Sequence, residues 1–175
     1  VFQINKKVDT GNIIVQEKFP IYENDNMLSL GTRLCNLGAK IIIDALDKIE
    51  NGSIKSIKQN KEFASLAPKI TKNMRLINWE WPSYKLHNWV RGLSPYPSMY
   101  TTLYGKRIKV FKTFVENSSW NNPGNIFQVK NDSILVGTGN GLLGILEVQM
   151  EGKKKLSIKE FLRGRSVDED WIFGK

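Results

Sequence analysis

Few side chains here have the type and setting for chemistry, and Asp9 is foremost. It stands in Val8-Asp9-Thr10-Gly11-Asn12, directly behind the apolar run Val1-Phe2-Gln3-Ile4. An acid held in a glycine turn between apolar strands can accept a proton or orient a neighbouring base. The plainer role is an Asx turn, in which the carboxylate only closes the backbone. Two facing Asp-Thr-Gly loops can share a proton and hydrolyse peptides. This chain has one copy of the motif and a long amphipathic helix behind it, which does not suit a small all-strand dimer. His87 is a possible general base, yet no nucleophile or carboxylate neighbours it in sequence, so a surface or capping role is expected. Trp79, Trp81 and Trp89 have faces that could stack on bases, although aromatics clustered at such a junction usually belong to a core. Gly137-Thr138-Gly139-Asn140-Gly141 has the look of a phosphate loop, but no helix follows it, so strand–turn–strand is the better reading. Lys153, Lys154 and Lys155 form a basic run that suits phosphate contacts or a solvated turn equally.

Charge narrows the partners. Net charge is +9, and it is uneven: residues 1–50 hold 6 Lys/Arg against 7 Asp/Glu, whereas the remainder holds 20 against 10. A basic excess confined to one part suggests a polyanion such as nucleic acid. With 41% hydrophobic and 25% charged residues the composition is that of a soluble globular chain of one domain or two small ones. No apolar stretch approaches the ~20 residues that span a bilayer. One Cys and one His exclude an internal disulfide and leave no set of zinc ligands, so no metal and a reducing cytoplasm are expected.

The elements that must position these residues follow from periodicity. Residues 1–22 read as extended pieces, with Ile13, Ile14, Val15, Phe19 and Ile21 suggesting a strand or hairpin after the Asp9 turn. Leu30, Leu34, Leu37, Ile41, Ala45, Leu46 and Ile49 recur every three or four residues, which predicts a helix over 27–50. Asn26 or Ser29 can cap its start and Gly52 can close its end. Residues 53–78 lose the period while gaining Lys55, Lys58, Lys61, Lys69, Lys72 and Arg75, and Pro68 interrupts them; this reads as a basic linker. A short helix is predicted over 81–91, with Pro82 in its first turn. Five short strands follow, at 100–104, 107–115, 125–130, 133–137 and 142–149, separated by Gly105, Pro123-Gly124, Asn131-Asp132 and the Gly139 turn. That density suggests a small antiparallel barrel. Ser157 and Glu160 form a capping-box pattern for a last helix that Gly164 can end.

Taken in order, these pieces resemble the methionyl-tRNA formyltransferase family, from its catalytic Asp onward. Val8-Asp9-Thr10-Gly11 with Ile13-Ile14 and Gln16-Glu17-Lys18 is similar to the family's late catalytic segment. Ala67-Pro68-Lys69-Ile70 and Ile77-Asn78-Trp79 resemble its linker, and Arg91-Gly92-Leu93-Ser94-Pro95-Tyr96-Pro97 resembles its Arg-Gly-Leu-Asn-Pro-Trp-Pro run. Thr138-Gly139-Asn140-Gly141-Leu142-Leu143, Gly152-Lys153-Lys154 and Phe161-Leu162-Arg163-Gly164 resemble its C-terminal domain.

The resemblance implies an α/β fold: the end of a Rossmann-like formyltransferase domain over 1–54, a basic linker over 55–78, and a mostly β OB-like barrel over 79–175 that helps hold tRNA. It implies formyl transfer from 10-formyltetrahydrofolate to the amino group of initiator methionyl-tRNA, in a cytoplasmic monomer or an organellar matrix. Asp9 matches the catalytic Asp, and the turn Asn5, Lys6, Lys7, Val8 matches the loop lining the folate pocket. Lys55, Lys58, Lys61, Lys69, Lys72, Lys153, Lys154 and Lys155 are the expected tRNA contacts. The family's Asn-x-His pair and Ser-Leu-Leu-Pro stretch lie further upstream, so the chain is expected to be a C-terminal fragment that is inactive alone. Asn12 stands where the family often has Asp, and His87 does not match the catalytic His. Sugar-nucleotide formyltransferases share the Asp and a similar C-terminal domain and are the enzymatic alternative; a non-catalytic RNA-binding module is the other.

Overall fold

Helix α1, Met27–Glu50, is started by the side chain of Asn26, whose Oδ1 accepts the N–H groups of Leu28 and Ser29 at 2.9 Å each. Ser29 reaches back to the Asn26 N–H, completing a reciprocal cap that satisfies otherwise orphaned donors. Asn51 and Gly52, the latter with φ of 69°, end the helix. These observations come from a computed structural model that describes residues 1–120 and 122–174. Helix bounds match the periodicity because caps at both ends are local and legible.

The chain folds as two units, residues 1–69 and 70–175. In the first, the predicted strand or hairpin over 1–22 is reduced to single bridges, Phe2 to Ile13 and Ile13 to Ile57. Ile13 and Ile57 exchange both backbone hydrogen bonds at 2.8 Å, so the stretch after α1 returns to pair beside the Asp9 loop. Arg33 on α1 lies over the rings of Phe19 and Tyr22 and pairs with the nearly buried Asp25, anchoring the strand-to-helix corner. Ala45 is the one fully buried residue of α1; Leu34, Ile42, Ile43, Leu46 and Ile49 are exposed. Lys61–Phe63 forms a single 3-10 turn, as does Asn73–Arg75 at the start of the second unit.

The second unit is built on an antiparallel sheet: β1 Met99–Leu103, β2 Lys106–Glu116, β3 Ile126–Val129, β4 Ile134–Gly137, β5 Leu142–Met150 and the short β6 Leu156–Ser157. Helix α2, Ser83–Leu93, packs on β2 and β5, and α3, Ile158–Arg163, follows β6 directly. Pro82 precedes α2 immediately rather than sitting inside it, two residues from the predicted boundary. Strand order is β1-β2-β5-β4-β3, with β6 beside β5. Two successive buried residues, Val110 and Phe111, break the alternation of β2 where its register with β5 shifts, as a β-bulge requires. The core joins Leu86 and Val90 of α2, Met99 and Leu103 of β1, Ile134 and Val136 of β4, Leu143 and Ile145 of β5 and Ile158 of α3.

The expected barrel is not closed by strand pairing among the described residues: the sheet is an open path whose edges are β1 and β3. A non-strand segment bridges them instead. Phe173 N–H donates to Gly124 O at 2.8 Å beside β3, and Gly174 N–H donates to Thr102 O of β1 at 2.9 Å. The Phe173 ring packs on Trp79, 5.5 Å between centroids, and Trp79 Nε1 donates to the buried Thr101 hydroxyl at 3.2 Å. An unpaired edge strand is a template for aggregation, and this segment occupies both.

Candidate functional site

Asp9 has φ of 56°, the left-handed region that Asp and Asn enter more readily than other non-glycine residues. Its neighbours hold it there. Asn5 Oδ1 accepts the Lys7 N–H at 3.0 Å and the Thr10 hydroxyl at 2.8 Å, and that hydroxyl also lies 3.0 Å from Lys7 O. Gln59 closes the loop from outside: its Nε2 donates to Asp9 O at 3.0 Å and to Gly11 O at 2.7 Å. Gly11 is mandatory, because a Cβ there would stand 1.5 Å from Gln3 O. The loop is therefore fixed by side chains at both ends, leaving the Asp9 carboxylate exposed to solvent and unused by the scaffold.

Asp9 lines a cavity of about 460 Å³ with Phe2, Ile13, Gln16, Glu17 and Gln59 and, on α1, Leu34, Leu37 and Ile41. An acid at the edge of a recess with mixed apolar and polar walls can hold or relay a proton beside a bound organic group. The other predicted pocket residues are placed differently. Asn5 lines a separate shallow recess with Gln3, Ile4, Gly11 and Asn12, while Lys6, Lys7 and Val8 are exposed on the loop. The Asn5 carboxamide oxygen is spent on the loop itself. Gln59 was missed by sequence reasoning, since nothing local marks a carboxamide that bonds 48 to 50 residues away.

The predicted basic contacts are distributed over both units. Lys55 and Lys58 flank the Ile57 bridge, Lys61 opens a 3-10 turn, and Lys69 and Lys72 lie on either side of the boundary between the units; all are exposed. Lys153 and Lys154 are exposed in the turn between β5 and β6, whereas Lys155 is engaged, its Nζ 2.9 Å from Glu147 Oε2 and above the Phe111 ring. A second basic feature went unread: a cleft of about 830 Å³ between the β3–β4 turn and the end of α3, presenting Lys130, Lys159, Arg163 and Arg165. Its cations come from segments far apart in sequence, though the Arg163-Gly164-Arg165 run hinted at one wall.

His87 Nδ1 lies 2.9 Å from the buried Thr113 hydroxyl, a structural contact between α2 and β2. Trp79 is core, and Trp81 and Trp89 pack tilted against one another with Lys85 Nζ 3.7 Å above the Trp81 ring. Thr138 Oγ1 donates within the Gly139 turn, 2.7 Å from Gly141 O, and a Cβ on Gly139 would meet Glu80 O at 1.9 Å; this is a packed turn. Among the described residues no group of three or more His, Cys, Asp or Glu is arranged to hold a metal, and no helix is long and apolar enough to cross a membrane.

Residues 69–166 match the family described as formyl transferase, C-terminal domain. A methionyl-tRNA formyltransferase of Caldanaerobacter subterraneus subsp. tengcongensis is 37% identical over 170 residues, 97% of this chain and 55% of the relative. The chain spans about half the length of the curated relatives it matches. Among solved structures, HypX from Aquifex aeolicus in complex with tetrahydrofolic acid shares the fold with a TM-score of 0.60 at 21% identity, over 95% of this chain and 32% of HypX. An N-formyltransferase from Helicobacter canadensis, in complex with folinic acid and dTDP-3-aminofucose, does so with a TM-score of 0.62 at 22% identity, over 89% of this chain and 54% of that one.

Proposed function

Because the chain belongs to the formyl transferase C-terminal domain family, we propose that it is the C-terminal part of a methionyl-tRNA formyltransferase. The observation that carries this reading is the extent of the likeness: 37% identity runs through 97% of the chain, across the Asp9 loop as well as the β unit. The sugar N-formyltransferase likeness is weaker, at 22% over 89% of the chain.

On this reading residues 1–54 complete a Rossmann-like domain, 55–78 link, and 79–175 form an OB-like barrel. The bridging of both sheet edges by Trp171–Gly174 supports a barrel-like closure. The exposed apolar face of α1 supports the same reading, since contiguous apolar surface marks a docking site and an upstream half would cover it. The reaction takes the formyl group of 10-formyltetrahydrofolate to the amine of initiator methionyl-tRNA, in a bacterial-type cytoplasm. The amine nitrogen attacks the formyl carbon and loses a proton, an oxyanion forms, and its collapse breaks the bond from carbon to the folate nitrogen, which takes up a proton as it leaves. Asp9 accepts the amine proton directly or through water, or holds an upstream His in its cationic form. Asn5 and Gln59 keep the loop rigid so that the carboxylate is placed before substrate arrives.

The test is formyl transfer by the polypeptide extended to the length of the relatives, offered methionyl-tRNA and a dTDP-linked amino sugar in competition. Transfer to tRNA supports the reading, and preference for the sugar overturns it. Asp9→Asn in that protein slows transfer strongly while tRNA affinity holds; a large loss of binding removes the catalytic role.

A further inference from the structure

The segment that follows α1 runs antiparallel to the Asp9 loop. Ile57 and Ile13 face one another and exchange both backbone hydrogen bonds at 2.8 Å. In an antiparallel ladder the next pair to do so stands two residues along each strand. Counted from Ile57 and Ile13, that pair is Gln59 and Gly11. No backbone bond joins them among the described residues, for here the chain is already turning through Asp9, whose φ is 56°. The side chain of Gln59 supplies the missing rung, its Nε2 donating to Gly11 O at 2.7 Å. The same nitrogen donates to Asp9 O at 3.0 Å.

Both amide hydrogens are thereby used on two carbonyls. This fixes the carboxamide, since the flipped group would set its own oxygen against the same carbonyl oxygens. It also fixes the loop. A donor on Asp9 O holds the peptide plane between Asp9 and Thr10, and with it the ψ of Asp9. Asn5 acts elsewhere, on the Lys7 N–H and the Thr10 hydroxyl. A residue other than glycine keeps a positive φ only where its surroundings over-determine it. Gln59 is the side chain that bonds to the backbone of Asp9 itself, and the two residues line one cavity of about 460 Å³.

We propose that Gln59 is a positioning residue for formyl transfer: its two donors hold Asp9 in the left-handed turn and so set the direction of the carboxylate. Gln59 exchanges no proton itself. The assignment deepens the formyl-transfer reading and rests on it; it adds a residue 50 positions from Asp9 on which the acid depends.

The experiment uses the polypeptide extended to the length of the relatives. Gln59→Leu keeps the bulk and loses both donors, and Gln59→Glu keeps the shape but turns a carboxylate oxygen on the two carbonyls. Each should lower kcat about ten- to a hundredfold, as misplacing a reacting group does, with KM for the folate donor held within about twofold. A side chain that only filled space would be replaced by Leu or Glu with kcat retained. Added to Asp9→Asn, Gln59→Leu should cost less than about twofold more, because losses that pass through one group do not multiply. In the 175-residue chain, Gln59→Leu should quicken hydrogen exchange at Gln3, whose N–H donates to Asn12 O, and leave β5 unchanged.

Three results overturn the assignment. Unchanged exchange at Gln3 means that Gln59 does not hold the loop, whatever the reaction. Quickened exchange with kcat intact means that the hold does not serve transfer. A full further loss in the double variant means that Gln59 acts otherwise than through Asp9. If the extended protein formylates a dTDP-linked amino sugar and not methionyl-tRNA, the tRNA reading falls alone, and the same variants are compared on the sugar. If it formylates neither, assignment and reading fall together.

Discussion

The two units bury apolar residues on opposite plans. In residues 70–175 Leu86, Val90, Val110, Leu135 and Leu143 are each 0% exposed, and the core reaches helices, sheet and the C-terminal segment. In residues 1–69 the apolar side chains are just as numerous along α1, yet Leu46 is 56% exposed and Ile43 60%. Hydrophobic content is therefore not what separates them. What separates them is whether a second layer is present to receive the apolar face, since a helix stripe stabilises only when something covers it. The β unit supplies its own second layer. The first unit meets α1 with extended segments joined by isolated bridges and holds its shape by side-chain bonds, Asn5 and Gln59 at one end and the Arg33–Asp25 corner at the other.

The largest effect should come from testing that contrast directly. Leu143→Ala removes a fully buried side chain from the β core and should cost about 2–5 kcal/mol, read as a lowered denaturant midpoint. Leu46→Ala in the same chain should change stability by less than about 0.5 kcal/mol, as exposed positions do. In a polypeptide extended to the length of the relatives, Leu46→Ala should rise toward the first value. If it stays near zero there, nothing covers α1 and the proposed architecture of the first unit is wrong.

Gly11→Ala should come next, at about 1–3 kcal/mol, because the added Cβ meets a backbone carbonyl that has no freedom to move aside. The damage should be confined to the first unit: hydrogen exchange should quicken at Gln3 and Ile14, whose N–H groups donate to Asn12 O and Val1 O on either side of this loop, and stay unchanged across β5. Loss of protection in both units would mean they unfold together.

What the sequence revealed follows the range of the forces involved. Helix α1 was readable to its ends because Asn26, Ser29 and Gly52 act within a turn of where they stand. Strands β1 to β5 were readable within a residue or two because turns punctuate them, and Gly105 and Gly141 both adopt the positive φ that their turns need, whereas the two-residue β6 was not foreseen. Closure was not readable: whether β1 meets β3 depends on Phe173 and Gly174 returning from the far end of the chain. The site divides the same way. The acid-bearing turn at Asp9 announced itself by type and spacing, whereas Gln59 and the cleft cations come together only through folding. The extended reading of residues 1–22 kept its bridges but no regular strand, because pairing there stops at the isolated bridges Phe2 to Ile13 and Ile13 to Ile57.

The smallest effects test whether α3, which carries one wall of the basic cleft, is held by its cap as α1 is. Ser157→Ala should cost about 1 kcal/mol by orphaning the Glu160 N–H, which the Ser157 hydroxyl now satisfies at 3.3 Å. The reciprocal bond makes the cap sensitive to acid. The Ser157 hydroxyl at 2.8 Å and then its N–H at 2.9 Å hold the Glu160 carboxylate below its ordinary value of 4.5, aided by the nearby charges of Lys154 and Arg163 and opposed by partial desolvation. A folded-state pKa lower than the unfolded one means the contribution is complete above the ordinary value and fades as pH falls through the depressed one. Stability of the β unit in the wild type should therefore drop more on acidification through that window than it does in Glu160→Gln, which keeps an acceptor oxygen but carries no charge to lose. The difference between the two midpoints, small at neutral pH, should shrink toward zero at the acid end; a difference that is the same at every pH would place the cap's strength in its geometry and not in the charge of Glu160.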